Sequence, residues 1–182
     1  MNHSVSSPPS DAAAGSAAAP DAVDEIRAGW QRLRPELDTA AVDIAGRLIR
    51  ASALLVRATE ERLAAFELTR GEFDVLTSLR RLVEPQSPTT LRTIGLASAP
   101  AVTKRLHALE RRGLVLRTAN PADGRGALIA LTAEGTALVD AAFPEVLDVE
   151  RELLAAVPDA LRDDAARGLR AVLASMAAAP ER

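Results

Sequence analysis

A short part of the chain, residues 98–125, concentrates side chains of the types that can contact nucleic acid. Thr103, Lys104 and His107 fall on one side of a helical pattern, where a hydroxyl, an ammonium and an imidazole group are free to contact phosphates or base edges. The apolar side chains of the pattern fall on the other side, and they are Val102, Leu106 and Leu109. This division predicts a helix with one buried face and one face available to DNA.

Small residues begin this helix and favour a phosphate contact. Ser98 is the predicted N-cap, Ala99, Pro100 and Ala101 form the first turn, and Gly113 ends the helix. The small side chains let backbone N–H groups approach a phosphate at the positive end of the helix dipole. We therefore add Ser98, Ala99 and Pro100 to the predicted DNA contacts.

A β-hairpin is predicted directly after the helix. Val115–Thr118 and Ala127–Leu131 form its strands, and Asn120–Gly124 supplies the turn. Arg125 lies at the tip, where its guanidinium could enter the minor groove of DNA. Helix, turn, helix and β-wing in this order are typical of a winged helix-turn-helix, which binds DNA.

The net charge of the chain is −3, which by itself argues against a DNA partner. The charge is unevenly distributed, however, and local potential rather than net charge steers association with DNA. Residues 98–125 hold two acidic side chains, Glu110 and Asp123, against six basic ones. The six are Lys104, Arg105, Arg111, Arg112, Arg117 and Arg125.

Composition argues against most other kinds of chemistry. The chain has no Cys and two His, so we expect no disulfide and no metal site. It contains no Gly-rich phosphate loop and no nucleophile elbow, and DNA explains His107 better than catalysis does, so we expect no enzyme and no cofactor. Because no apolar run approaches the ~20 residues of a membrane span and the N-terminus lacks a secretory pattern, we expect a cytoplasmic protein without a membrane partner.

Four helices are predicted before residue 98 from hydrophobic periodicity and capping residues. They are Asp24–Leu37, Thr39–Ala65, Gly71–Val83 capped by Thr69, and a short helix from Pro88 to Leu96 capped by Ser87. Their core candidates are Val42, Leu48, Ile49, Leu55, Val56, Leu63, Phe73, Leu76 and Leu79.

Helices are also predicted after the wing. Thr132 caps a helix to about Ala142, Pro144 allows a break or kink, and the pattern is helical again over Val146–Ala156 and Asp159–Met176. Apolar residues of this region could form either an intermolecular seam or a core within one chain. DNA binding favours the seam, because such proteins usually dimerise to read two half-sites one helical turn apart. The residues concerned are Leu147, Leu153, Leu154, Leu161, Leu169, Val172 and Leu173.

The predicted fold is mainly α with a small β-wing. Residues 39–177 form a winged helix-turn-helix domain, within which the DNA-reading region covers about residues 69–132. An extra N-terminal helix, residues 23–38, precedes this domain. The dimerisation region is expected at residues 23–65 and 133–177, and tails are expected at residues 1–22 and 178–182.

These motifs resemble the MarR family of bacterial winged helix-turn-helix regulators over about residues 40–176. The resemblance implies a homodimer that binds double-stranded DNA at a near-palindromic operator and responds to a small-molecule effector. The matching residues are Ser87, Pro88 and Leu91; Val102, Thr103, Arg105, Leu106, Leu109, Glu110, Gly113, Leu114, Val115 and Arg117; Asn120, Pro121, Asp123 and Arg125; and Leu131, Thr132, Glu134 and Gly135.

The wing departs from the family pattern Asp-Pro-x-Asp-Arg-Arg at two positions. Asn120 replaces the first Asp and Gly124 replaces the first Arg, whereas Asp123 and Arg125 are kept. The resemblance implies that the pair Asp123 and Arg125 braces the wing and places the Arg for the minor groove. Losing one Arg is expected to remove a phosphate contact and to weaken the salt dependence slightly.

The N-terminal part resembles, more narrowly, the urate-responsive HucR/PecS branch of the family, which carries a Trp on an extra helix. That branch binds its ligand with this Trp, an Asp on the helix preceding the DNA-reading helices, an Arg in the recognition helix and an Arg in the first wing strand. This chain has Trp30, Asp74, Arg105 and Arg117 at the matching places. The resemblance implies that these four residues form an effector site.

The four side chains suit a planar organic anion such as urate. Guanidinium groups bind such an anion bidentately, and an indole N–H donates to its edge. Because Arg105 belongs to the recognition helix, attraction of Arg105 or displacement of Asp74 would move that helix and release DNA. Structural roles are also open: Trp30 as a core anchor, Asp74 and Arg105 as an ion pair, and Arg117 as a phosphate contact.

We therefore predict a homodimeric repressor that urate or a similar small organic anion releases from its operator. Within the family, the alternative is a regulator that responds to a polycarboxylate or phenolic anion. Outside it, the alternative is a helical protein-interaction module with weakened DNA binding, which Gly124 suggests.

Overall fold

The computed structural model describes residues 19–95, 98–121 and 123–179, and for residues 93–95 and 123–125 it describes the backbone alone. Most of the two predicted tails, and the predicted helix end at Leu96, lie outside the described residues. The helices are α1 (Ala22–Leu33), α2 (Val42–Leu63), a 3-10 helix (Ala64–Phe66), α3 (Arg70–Leu82), α4 (Pro88–Gly95), α5 (Ala99–Arg111), α6 (Ala133–Leu153) and α7 (Asp159–Ala177). The strands, paired antiparallel, are β1 (Val115–Asn120) and β2 (Asp123–Leu131).

The chain divides after Ala51 into two compact units, of which the first holds α1 and the start of α2. Val23 is buried, and it packs against Gly46, whose lack of a side chain leaves room for it. On the outside of this contact, Arg47 donates from Nη2 to Asp24 Oδ1 at 2.8 Å. An apolar contact and an ion pair therefore hold α1 to the first turns of α2.

The first helix ends earlier than predicted, at Leu33 rather than at Leu37. Arg34 is its C-cap and precedes Pro35, and a residue before proline disfavours the helical conformation. Trp30, on the last turn, is 48% exposed, so the interpretation of Trp30 as a plain core anchor is wrong within the described chain.

The second unit packs α3, α5 and α6 around one apolar core. The prediction of a core face on α3 is confirmed, whereas Ile49 and Val56 of α2 are 71% and 37% exposed because no described element covers them. The buried side chains of this core include Leu63, Leu68, Phe73, Leu76, Leu79, Leu91, Val102, Leu106, Leu109, Leu114, Ile129, Val139 and Val146.

Predicted caps set the boundaries of the helices in this unit. Thr69 accepts from the backbone N–H of Glu72, whose carboxylate accepts in return from that of Thr69, so a capping box begins α3. Thr132 accepts from Gly135 N at 3.0 Å and begins α6. Gly113 has φ +70°, a left-handed conformation that suits glycine and ends α5. These three predictions are confirmed.

The sequence allows a break or kink at Pro144, and the break does not occur. Pro144 lies inside α6, which continues to Leu153 instead of breaking. A proline in a helix interior costs about 3 kcal/mol, but burial of Val139, Ala142 and Val146 on one side of α6 favours a continuous helix. Pro144 itself is exposed, so its ring lies on the other side.

The hairpin is also longer than predicted. Pairing runs from Val115 opposite Leu131 to Asn120 opposite Asp123, with a shift of register after Ala119. Asn120 and Asp123 therefore belong to the strands rather than to a five-residue turn. Antiparallel pairing satisfies backbone groups that a longer loop would leave to water, which explains the extension.

Gly135 should be required for the fold, because the first turn of α6 packs directly against the backbone of Leu114. A Cβ at residue 135 would lie 2.9 Å from the carbonyl carbon of Leu114 and closer still to its oxygen. Since this backbone cannot rotate away, Gly135→Ala should lower the free energy of unfolding by about 1–3 kcal/mol in denaturant titrations. Gly168→Ala in α7, where a Cβ meets nothing within 4 Å, is the control and should not destabilise. Equal effects of the two substitutions would contradict this prediction.

Acid should loosen α1. The pKa of Asp24 lies below its usual range because its carboxylate accepts from the backbone N–H of Asp21 and from Arg47. A depressed folded pKa stabilises the contact above the unfolded value of about 3.9, and this contribution is lost as the pH falls through the folded pKa. Hydrogen exchange of α1 amides should therefore lose protection below about pH 4. Asp24→Asn should make this pH-dependent step smaller, and Asp21, whose pKa is also lowered, should retain part of it. An identical step in the variant would contradict the assignment.

Candidate nucleic-acid interface

The helix α5 begins with the small residues expected at a phosphate contact. Ser98 is the N-cap, and its hydroxyl accepts from the backbone N–H of Ala101 at 3.4 Å. Ala99 and Pro100 follow, and all three are exposed. Proline is tolerated here because the first N–H groups of a helix have no partner inside it. The first turn of α5 therefore presents its end to solvent without bulky side chains.

The two faces of α5 differ sharply in exposure. Val102, Leu106 and Leu109 are 3%, 1% and 0% exposed and belong to the core of the second unit. Thr103, Lys104 and His107 are exposed on the opposite side, as the sequence predicts. The Thr103 hydroxyl donates to the carbonyl of Ala99 at 2.9 Å, so the hydroxyl oxygen can still accept a hydrogen bond.

A carboxylate lies between α5 and the wing. Glu110 Oε2 is 3.8 Å from Nδ1 of His107 and 3.9 Å from Nε of Arg117 on β1. Both distances exceed a hydrogen bond, so the attraction between Glu110 and the guanidinium of Arg117 is Coulombic and is weakened by solvent. Arg117 therefore has a carboxylate nearby but no tight partner among the described residues.

Arg105 lies against the beginning of α3. A Cβ placed on Gly71 would come within 2.6 Å of Nη2 of Arg105 and closer still to Nε and Cζ. The guanidinium therefore lies across the bare backbone of Gly71. Arg105 is half-buried, and within the described part of the chain it has no ion pair or hydrogen bond.

Asp74 pairs with a different residue from Arg105, the partner that the sequence analysis left open. Arg70, one turn earlier on α3, donates from Nε to Asp74 Oδ1 at 2.9 Å and from Nη1 to the buried hydroxyl of Thr59 at 3.0 Å. The interpretation of Asp74 and Arg105 as an ion pair is therefore wrong. Arg70 neutralises Asp74 and links α3 to the end of α2, because Thr59 in turn donates to the carbonyl of Leu55 at 2.8 Å.

The structure brings together part of the predicted effector site. Asp74 and Arg105 both border the first turns of α3, and Arg117 lies on β1, which follows α5. Trp30 belongs to α1 in the first unit. The side chains of Asp123 and Arg125, the predicted wing brace and minor-groove contact, lie outside the described residues, so both roles stay predictions.

Sequence reasoning missed Arg70 and Gly71. The spacing of Arg70 and Asp74, four residues apart on a helix, was a sufficient signal for their ion pair. Gly71 lies directly after the capping residue Thr69 and Arg70, where a side chain would be well tolerated by the helix itself. A glycine at such a position indicates close approach of another group, which is Arg105.

Two further observations concern other classes of site. Among the described residues, no group of three or more His, Asp or Glu side chains is arranged to hold a metal ion. None of the helices within the described ranges is long and apolar enough to cross a membrane.

Sequence comparison finds relatives with a regulatory role. Residues 68–126 match the MarR family. The HTH-type transcriptional regulator PecS of Dickeya dadantii (strain 3937) is 34% identical over 134 residues, which cover 72% of this chain and 81% of PecS.

Solved structures share the fold. A mutant form of MarR from E. coli, complexed with operator DNA, has a TM-score of 0.66 and 27% identity, covering 79% of this chain and 97% of that chain. Bordetella bronchiseptica BpsR, whose DNA binding is regulated by 6-hydroxynicotinic acid, has a TM-score of 0.66 and 25% identity, covering 71% and 98%. The predicted class, mainly α with a winged helix-turn-helix, is confirmed.

Proposed function

Because the chain belongs to the MarR family of DNA-binding transcriptional regulators, we propose that it is a homodimeric repressor released from its operator by a small organic anion, with urate as the first candidate. The observation that carries the DNA-binding part is the division of α5 into a buried and an exposed face. Thr103, Lys104 and His107 form the exposed face, and Ser98, Ala99 and Pro100 present the helix end to a phosphate.

Exposed apolar side chains on α6 and α7 support the homodimer. Six of the seven residues predicted as a seam are at least 40% exposed, so they do not form a core within one chain. Such a concentration of exposed leucines is unusual for a monomer and is typical of an interface. The six are Leu147, Leu153, Leu154, Leu161, Leu169 and Leu173.

Two arginines without tight partners support an anionic effector. Arg105 forms no ion pair with the described residues, and the carboxylate of Glu110 lies 3.9 Å from Nε of Arg117. Guanidinium groups in this state can take up a planar anion through paired hydrogen bonds. The effector of BpsR, 6-hydroxynicotinic acid, is itself a planar heteroaromatic acid, and so is urate. Trp30 and Asp74 complete the proposed site on the strength of the family resemblance.

The anion would act through α5. Arg105 belongs to the helix that presents Thr103 and Lys104. A ligand that binds Arg105 can therefore stabilise one placement of the whole helix α5 relative to another. Release of DNA requires that the ligand bind more tightly to the position that does not fit DNA. Polycarboxylates and phenolic anions could use the same two guanidinium groups, and they are therefore the alternatives to test.

Lys104→Ala should weaken DNA binding through a lost phosphate contact. We expect the Kd for DNA from the chain's own upstream promoter region to rise roughly fivefold and the slope of log K against log salt to fall in magnitude by about 0.9. Fluorescence anisotropy at several salt concentrations measures both. Arg57→Ala removes one charge from an exposed position on α2 and is the matched control. Equal losses in the two variants would show an effect of net charge and contradict the assignment of Lys104.

Urate should quench Trp30 fluorescence and release DNA. Trp30 is the only Trp and the chain has no Tyr, so the emission reports on this one residue. We expect Arg117→Ala to raise the half-saturating urate concentration at least about tenfold, as expected for a lost charge-assisted contact. Xanthine, citrate and salicylate are the comparison ligands. If citrate or salicylate releases DNA and urate does not, the effector is of that other class rather than urate. Release by none of these ligands would contradict an anionic effector site.

A further inference from the structure

The first turn of α3 has a gap in its surface that one side chain fills. Gly71 is the second residue of α3, and the guanidinium of Arg105 occupies the space that a Cβ of residue 71 would need. Nε, Cζ and Nη2 of Arg105 all lie within 2.6 Å of that Cβ position, which is closer than any real contact. The contact is therefore possible only with glycine at residue 71.

Shape rather than charge attraction keeps Arg105 in this place. The beginning of α3 is the positive end of its dipole, which repels a guanidinium. The neighbouring Arg70 is also positive, and it already pairs with Asp74 at 2.9 Å. No carboxylate among the described residues pairs with Arg105. Arg105 is thus a half-buried cation without an ion-pair partner among the described residues, although Glu72 also lies in the first turn of α3. It is held by the core packing of α5 and by the open surface at Gly71.

We propose that Gly71 is a positioning residue. Its backbone forms a surface on α3, which we call the seat, and the guanidinium of Arg105 lies on this surface. The seat keeps that cation available to the anionic effector. This proposal rests on the proposed function and deepens it. An anion that binds at the seat supplies the counter-charge that Arg105 lacks, so its binding is linked to the contact between α3 and α5. The seat therefore connects effector binding to the DNA-reading helix.

Gly71→Ala separates this role from the fold. The added Cβ removes the seat, and the flexible Arg105 side chain has to rotate away. The helix α5 itself should stay in place, because Val102, Leu106 and Leu109 remain in the core. The variant should therefore keep its structure and lose the defined position of one guanidinium.

A double-mutant cycle in thermal stability tests the seat without any ligand. Gly71→Ala is made in the wild-type chain and in the Arg105→Ala variant, with Gly168→Ala in both backgrounds as the control, because a Cβ there meets nothing within 4 Å. Alanine favours a helix over glycine, so with Arg105 removed Gly71→Ala should raise the melting temperature. With Arg105 present the change should be lower by at least about 2 °C. Gly168→Ala should behave identically in both backgrounds.

Operator release tests the consequence of the seat. In Gly71→Ala the urate concentration for half-release should rise at least about tenfold, as in Arg105→Ala, because both variants remove the same charge-assisted contact. The double variant should be no worse than either single variant. Operator affinity without urate should stay within about threefold of wild type, since the exposed face of α5 is unchanged.

The stability cycle and the operator-release assay together distinguish a failure of this proposal from a failure of the proposed function. If wild type binds operator and does not respond to urate, the proposed effector is wrong, and the stability cycle still decides whether the seat exists. If Gly71→Ala folds only together with Arg105→Ala, the steric contact is supported. The proposal is overturned if Gly71→Ala changes the melting temperature equally in both backgrounds, if it fails to fold in both, or if it leaves the urate response of a responsive wild type unchanged.

Discussion

Burial of one face of α5 is the constraint on which the rest of the second unit depends. Val102, Leu106 and Leu109 are almost completely buried, and a helix that buries these positions must present the intervening ones to solvent. Thr103 and Lys104 are therefore exposed for a geometric reason, whatever they bind. The same packing fixes α5 against α3 and β1, so any ligand that shifts α5 has to act at those contacts.

The contact between α5 and α3 is unusual in its chemistry. Its apolar part is an ordinary core, but its edge consists of a guanidinium on a bare glycine, Arg105 on Gly71, beside a second arginine that is already paired with Asp74. The guanidinium of Arg105 therefore lies beside the apolar core without an ion-pair partner among the described residues. An anion that pairs with it would change the free energy of the contact between α3 and α5.

The sequence alone was enough to predict helix boundaries that depend on interactions within a few residues. Helix starts at Thr69 and Ser98 and the helix end at Gly113 follow from hydrogen bonds and backbone conformations within a few residues, and the structure confirms them. Features that depend on packing were not predicted. The helix through Pro144 is favoured by burial along one side of α6, which no local motif encodes. The partner of Asp74, in contrast, follows from the four-residue spacing of Arg70 and Asp74 on α3, a local signal that the sequence reasoning overlooked.

Lys104 offers the most direct measurement of the central claim, that the exposed face of α5 contacts DNA and that the effector ends this contact. It is the only lysine of the sequence, so an amine-reactive reagent labels Lys104 and the amino terminus alone. Labelling rates can be followed by mass spectrometry of the whole chain. Operator DNA should slow labelling of Lys104 several-fold while the amino terminus reacts as before, and urate should restore the rate. Equal labelling of Lys104 with and without saturating operator DNA would contradict the account.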